Sequence, residues 1–203
     1  MATSSHRYRV LARSGLPLDT VKLARYLIGK IVVRETPQGL LSGRIVETEA
    51  YPVGDAAGHA FRGETARTQT LFLSRGHAYV YLAYGTSYML NVSSEAVGVG
   101  AGVLIRALEP LEGIETMQRN RHVKNLRDLA RGPGRLAAAL DIDRRLEGID
   151  LCRKGSLWLA RDLSGAPKVA ASTRIGLSKE AHRILRFYIP GNRFVSGAKM
   201  LNR

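Results

Sequence analysis

The chain holds a single cysteine, Cys152. No intrachain disulfide can form, and no metal set can be built from thiolates. A reducing, cytoplasmic compartment is the expectation, nucleoid-associated in a bacterium. No run of about 18 apolar residues occurs, so no membrane span is expected. The first ten residues are polar and basic with no apolar stretch behind them, unlike a secretory signal. Acid is scarce as well: 17 Asp and Glu stand against 31 Lys and Arg, a formal net charge of +14. That excess points to a polyanionic partner, with nucleic acid foremost. On charge alone, a generally basic protein fits too. The five histidines (His6, His59, His77, His122, His182) are scattered without helical ligand spacing, so no protein-held metal is expected. There is no Walker A loop, no Rossmann glycine fingerprint and no Gly-x-Ser-x-Gly elbow.

What remains is a globular composition. With 203 residues, 45% of them hydrophobic, one domain with a substantial core is expected. Residues 1–15 read as a basic, loosely ordered arm, and 16–203 as the domain. Pro17 and Asp19 open a helix whose apolar side is Val21, Leu23, Ala24, Leu27 and Ile28, stopped by Gly29. Lys30–Glu35 and Leu41–Glu49 are strands about a Pro37-Gln-Gly39 turn. Residues 52–70, rich in Gly, Ala, Thr and Arg, form a long loop of the kind that usually serves function. His77–Tyr84 and Tyr88–Ser93 are strands joined at Gly85-Thr-Ser87, which leaves Tyr84 near a hairpin tip with no core to enter. Gly102–Leu108 is a strand carrying Arg106 in an apolar run. Leu111–Arg121 is read as helical, and Gly132-Pro-Gly134 leads into a short helix over Arg135–Leu140. Residues 155–160, 168–175 and 186–189 read as strands.

The chemistry concentrates in Arg44-Ile-Val-Glu-Thr-Glu-Ala-Tyr51. Period-two alternation puts Ile45, Glu47 and Glu49 on one face and Val46, Thr48 and Ala50 on the other. A strand-end carboxylate beside an aromatic makes a base-and-stacking pair. Carboxylate, aromatics, a buried-looking arginine and a basic surface together fit hydrolysis at a base or sugar of nucleic acid. A flipped nucleotide needs aromatic faces and edge-reading polar groups. The gap it leaves can be filled by an inserted side chain, and its phosphates need cationic or N–H donors.

Several motifs then resemble one family. They are Val46-Glu-Thr-Glu-Ala-Tyr51 with Asp55-Ala-Ala-Gly-His59, Tyr79-Val-Tyr-Leu-Ala-Tyr-Gly85, Asn91-Val-Ser-Ser94, Leu104-Ile-Arg-Ala-Leu-Glu-Pro-Leu-Glu-Gly113, Gly132-Pro-Gly-Arg-Leu136, Arg174-Ile-Gly176 and Arg186-Phe-Tyr188. In this order, across roughly residues 16 to 197, they resemble the alkyladenine (3-methyladenine) DNA glycosylases.

The resemblance implies a mixed α/β (α+β) single domain around a curved, largely antiparallel sheet, with flanking helices and a protruding β-hairpin. It implies a monomer that needs no metal or other cofactor and acts on double-stranded DNA containing damaged purines. It implies Glu49 as general base, with Arg106 and the Ile175 carbonyl holding the attacking water. The base pocket would comprise Ala50, Tyr51, His59, Tyr79, Tyr81 and Asn91, with Asn91 excluding a 2-amino group. Tyr84 would intercalate, and Arg67 and Arg135 would meet phosphates. The implied activity is monofunctional excision of alkylated purines (3-methyladenine, 7-methylguanine), extending to deaminated or etheno purines, which initiates base excision repair. Two other readings are a bifunctional glycosylase/lyase using an amine such as Lys179, and a non-catalytic nucleic-acid-binding protein on the same scaffold.

The chain departs from the family pattern at Thr68, where Asn is frequent, and at Gly134, where a small hydroxyl is common. It departs again at Ile184-Leu185, where bacterial relatives often carry Pro-Trp.

Overall fold

The computed structural model describes residues 8–161 and 165–197. Strand β1 (Arg9–Val10) is followed by helix α1 (Thr20–Leu27), strands β2 (Ile31–Thr36) and β3 (Gly39–Tyr51), and the hairpin β4 (Ala78–Ala83) and β5 (Ser87–Ser93). Then come β6 (Gly102–Glu112), α2 (Ile114–Arg121), α3 (Pro133–Ala139), β7 (Leu157–Arg161), β8 (Ala170–Ser172) and β9 (Arg186–Tyr188). The sheet runs β1-β7-β2-β3-β6-β5-β4, with β9 on β3 and β8 on β9. Every one of these pairings is antiparallel. The mixed α/β expectation, a single domain around a curled antiparallel sheet, therefore holds. No described helix is long and apolar enough to cross a membrane.

Helix α1 starts where the Asp19 carboxylate accepts the Lys22 N–H at 2.7 Å, satisfying one of the orphan donors of the first turn. Its Leu23, Ala24 and Leu27 are completely buried. Each leucine contributes on the order of 2 kcal/mol by leaving water. The helix is pinned to the sheet by the Thr48 hydroxyl, which donates to the Ala24 carbonyl at 2.9 Å.

Strand β3 is the axis of the molecule. It pairs with β6 along nearly its whole length. On its other edge β2 covers the first half and β9 covers Glu47–Glu49. Two irregularities in the β3–β6 ladder decide the site. Ile45 faces Leu108 and Glu47 faces Ala107, so Val46 has no partner; Thr48 then faces Ile105, so Arg106 has none. Each is a bulge that inserts one residue and inverts the alternation beyond it. Ile45 therefore shares the main core with Ala50, while Val46 packs on Tyr188, Phe194 and Val195. This corrects the simple alternation, which grouped Ile45 with Glu47 and Glu49.

Other expectations shift locally. Tyr8, Leu11 and Leu16 are buried and Arg9–Val10 pairs with β7, so the loose arm does not extend over residues 8–15; its residues 1–7 lie outside the described residues. Leu111 and Glu112 belong to β6, not to a helix. Gly113 turns the chain at φ 73°, where a Cβ would come within 2.3 Å of Leu41 Cδ2. Helix α3 begins at Pro133, a residue whose fixed φ and missing N–H suit a first turn. The strand expected over 168–175 shortens to Ala170–Ser172, which pairs with β9. The loop 52–70 contains single 3-10 turns at His59–Arg62 and from Gln69.

Candidate active site

Strand β3 delivers Glu47, Glu49 and Tyr51 to the face opposite Ala50. Both carboxylates are wholly buried rather than facing solvent at a strand end. Glu49 receives two hydrogen bonds and one ion pair. The Ile175 N–H donates to Oε1 at 2.8 Å, Arg106 Nη1 lies 3.1 Å from the same oxygen, and the Tyr51 hydroxyl donates to Oε2 at 2.9 Å. Burial, then the charge and hydrogen bond of Glu49, push the Tyr51 phenol upward, so it stays protonated and donates. Ile175 thus meets Glu49 through its N–H, a contact separate from the carbonyl that the resemblance assigned to the attacking water.

Glu47 belongs to a second, adjoining cluster. Its Oε1 accepts from Arg106 Nε at 3.0 Å, Arg186 Nε at 2.6 Å and the Ser196 hydroxyl at 3.0 Å. Its Oε2 accepts the Ser196 N–H at 2.7 Å. Burial opposes its charge, but Arg106 and Arg186 outweigh burial and hold the carboxyl below the usual glutamate value.

A cavity of about 160 Å³ opens to the surface, lined in part by Tyr51, His59, Tyr79, Tyr81 and Asn91; Glu49 and Arg106 are not in its lining, and Glu49 is joined to it by the Tyr51 hydroxyl. The β4–β5 pair supplies three of these, because Tyr79 and Tyr81 are two apart on one strand and Asn91 lies opposite Tyr79. The Tyr79 and Tyr81 rings stack at 5.3 Å, and His59 meets Tyr81 edge-on at 4.4 Å. His59 Nδ1 shares a 2.9 Å hydrogen bond with the Tyr79 hydroxyl. Burial, and next the charge of Arg67, lower the His59 pKa, so its ring is neutral near pH 7. Burial raises the Tyr79 phenol to about 12. Asn91 Nδ2 donates to the Tyr79 carbonyl at 3.2 Å.

One residue expected in the base pocket falls elsewhere. Ala50 does not line the cavity: it alternates with Glu49 and Tyr51, so its side chain enters the core. Arg67 and Arg135, expected at phosphates and not in the pocket, lie outside the lining. The Arg67 guanidinium is 5.5 Å from the Tyr81 ring centroid, and Arg135 is 3.6 Å from Asp128; both arginines are exposed. Lys179 is exposed and is not among the lining residues.

Tyr84 sits at the hairpin tip and is 92% exposed. The Thr86 N–H donates to the Ala83 carbonyl, and Tyr84 and Gly85 both take positive φ, 51° and 70°. That is the turn a twisted two-stranded ribbon favours, and here it places an aromatic in the left-handed region. Tyr84 also borders the cavity mouth.

One element of the site carried no assigned role in the sequence. Arg174 forks onto Asp55, Nη1 to Oδ2 at 2.5 Å and Nη2 to Oδ1 at 3.1 Å, with both side chains fully buried. Nη1 also donates to the Ala50 carbonyl, and the guanidinium lies 4.6 Å from the Tyr51 ring centroid. The pair ties loop 52–58 and Tyr51 to the 174–175 segment that reaches Glu49. Its only sequence signal was an aspartate and an arginine inside two of the quoted motifs.

The departures also have physical places. The Thr68 hydroxyl accepts from the Thr65 N–H at 3.0 Å and donates to the Gly63 carbonyl at 3.3 Å, bracing the turn that carries Arg67. At Gly134 a Cβ would lie 2.9 Å from Ser87 Cβ, so α3 packs directly on the hairpin. Leu185 is buried and Ile184 is exposed.

The comparisons with known proteins agree. The family model described as methylpurine-DNA glycosylase matches residues 15–193. A protein of Mesorhizobium japonicum is 70% identical over 94% of this chain and 92% of its own length. One from Paraburkholderia phytofirmans is 54% identical over 94% of this chain and 90% of its own length. One from Koribacter versatilis is 43% identical over 94% and 95%. All three carry the printed name "Putative 3-methyladenine DNA glycosylase". Matched over nearly its full length by that model and by these relatives, the chain belongs to the methylpurine-DNA glycosylase family.

Proposed function

We propose that this DNA glycosylase is monofunctional: it takes a damaged purine nucleotide out of duplex DNA, holds the base in the cavity of Tyr51, His59, Tyr79, Tyr81 and Asn91, and hydrolyses its C1′–N bond. The observation that carries the reading is Glu49: a wholly buried carboxylate, oriented by two hydrogen bonds and an ion pair, with one of the donors a wall of the aromatic cavity. Glu49 takes a proton from water as the water oxygen bonds to C1′. The C1′–N pair leaves with the base, and the carboxylate steadies the oxocarbenium-like sugar on the way. Arg106 and Ile175 hold Glu49 in place. Tyr51 and Tyr81 offer faces to an electron-poor purine, where stacking gains a cation–π contribution.

The substrates that suit this chemistry best are N3- and N7-alkylated purines, which are cationic and leave without a proton. Hypoxanthine and ethenoadenine are neutral and need hydrogen bonding or protonation to leave. Tyr84 fills the gap in the duplex, and Arg67 and Arg135 meet phosphates. Glu49→Gln keeps the shape and removes the base. The expected result is loss of alkylpurine release with retained binding to lesion-containing duplex. Near-normal release by that variant sinks the mechanism.

A further inference from the structure

The mechanism leaves the fully buried carboxylate next to Glu49 on β3, Glu47, without work. We infer that Glu47 is a positioning residue for the reaction, the group that fixes Arg106 so that Nη1 meets Glu49. The inference rests on the assignment of Glu49 as base.

Each nitrogen of the Arg106 guanidinium has its own partner: Nε has Glu47 at 3.0 Å, Nη1 has Glu49 at 3.1 Å, and Nη2 has the Ser196 hydroxyl at 3.3 Å. Two of these three trace to Glu47, because Ser196 is itself held by Glu47 through both its N–H and its hydroxyl. A flexible arginine side chain becomes a fixed plane only when its fork is filled in this way. The paired bulges at Val46 and Arg106 are what bring the two side chains to the same side of the ladder.

Charge supports the same assignment. Glu47 also binds Arg186, whose Nε lies 2.6 Å from Oε1. Arg186 balances the negative charge of Glu47, which leaves the charge of Arg106 for Glu49. A carboxylate that only filled the core would need one cation. This one takes two, and shares the second with the base.

A purely structural Glu47 would affect how much protein is folded, not how fast each folded molecule acts. Glu47→Gln tests the difference. Release of 7-methylguanine from duplex DNA is timed in single turnovers with enzyme in excess, well below the unfolding midpoint. Active molecules are counted by titration with a duplex carrying an abasic-site analogue. The expected result is a rate per active molecule lower by roughly tenfold to a hundredfold, as for a misplaced catalytic group, with duplex Kd within about twofold of wild type. An unchanged rate per active molecule overturns the inference. If Glu47→Gln does not fold, Ser196→Ala takes its place, since it removes the Nη2 acceptor and keeps every charge. A loss of about tenfold then supports the inference, and an unchanged rate overturns it. Glu49→Gln run in parallel separates the failures: release by that variant sinks the base assignment, whereas its inactivity beside a normal Glu47→Gln sinks the positioning role alone.

Discussion

Asp55→Asn gives the sharpest test of how the cavity is held. The substitution keeps the shape of the side chain and removes its charge. It leaves the Arg174 guanidinium, whose side chain is fully buried, facing an amide that presents donors to donors or a single neutral acceptor. The Ala50 carbonyl at 3.0 Å is the one remaining close acceptor for Nη1, since the Glu180 carbonyl lies 3.5 Å from Nη2. Removing one partner of a buried, hydrogen-bonded ion pair costs about 3–5 kcal/mol, because the other charge stays out of water unpaired. Arg183, 3.5 Å from Asp55 and one-third exposed, adds little through solvent. A stability of about 5–15 kcal/mol is usual for a domain, so the loss is a large share. With a urea m value of about 2 kcal/mol/M, the unfolding midpoint falls by about 1.5–2.5 M. Equilibrium urea unfolding followed by tryptophan fluorescence measures it. A fall below about 0.5 M at unchanged m refutes the reasoning, because the pair would then contribute no more than a surface contact. Replacing both partners, Asp55→Leu with Arg174→Met, should recover most of the loss, since no charge is then stranded.

Tyr84→Gly should raise stability by about 0.5–1 kcal/mol by removing a left-handed aromatic, less the added freedom of the unfolded chain. The same change should weaken binding to a lesion duplex by about tenfold, the scale of one lost stacking contact; unchanged binding would refute the intercalating role. The His59 ring should titrate below its ordinary value, followed by NMR of its ring protons. The sign is that of a base held neutral: the stability gained from burying it is full above about pH 6.5 and is lost as pH falls through the folded pKa. Arg67→Gln removes the second cause of the shift and should move the titration upward, short of the free value because burial remains. A midpoint that stays put or falls would show that Arg67 does not act on the pocket.

Much of this was legible along the chain. Helix α1 followed from Asp19 and the spacing of Leu23, Ala24 and Leu27, and the β4–β5 hairpin from alternation about Gly85-Thr86. The exposed Tyr84 followed from that hairpin alone. Cap, turn and periodicity are near-neighbour effects, and a single strand or helix contains all their terms. The motifs likewise placed Glu49, Tyr51, His59, Tyr79, Tyr81, Asn91 and Arg106 in one proposal; the structure gathers Tyr51, His59, Tyr79, Tyr81 and Asn91 around one cavity, with Glu49 behind the Tyr51 hydroxyl and Arg106 behind Glu49, both outside its lining.

The tertiary structure decided what depends on a partner strand or a distant segment. Which face of β3 holds Ile45 was not readable from period two, because a bulge exists only as a mismatch between β3 and β6. The burial of Glu47 and Glu49 came from β9 and the 194–196 segment, about 140 residues along the chain. The Asp55–Arg174 pair joins two loops 119 residues apart. Composition and local pattern could say that a carboxylate, an arginine and three aromatics were present. Only the folded chain could exclude water from around two carboxylates and decide which donors each would keep. That choice is long-range, since a buried charge is tolerated only where the whole surrounding shell supplies its partners.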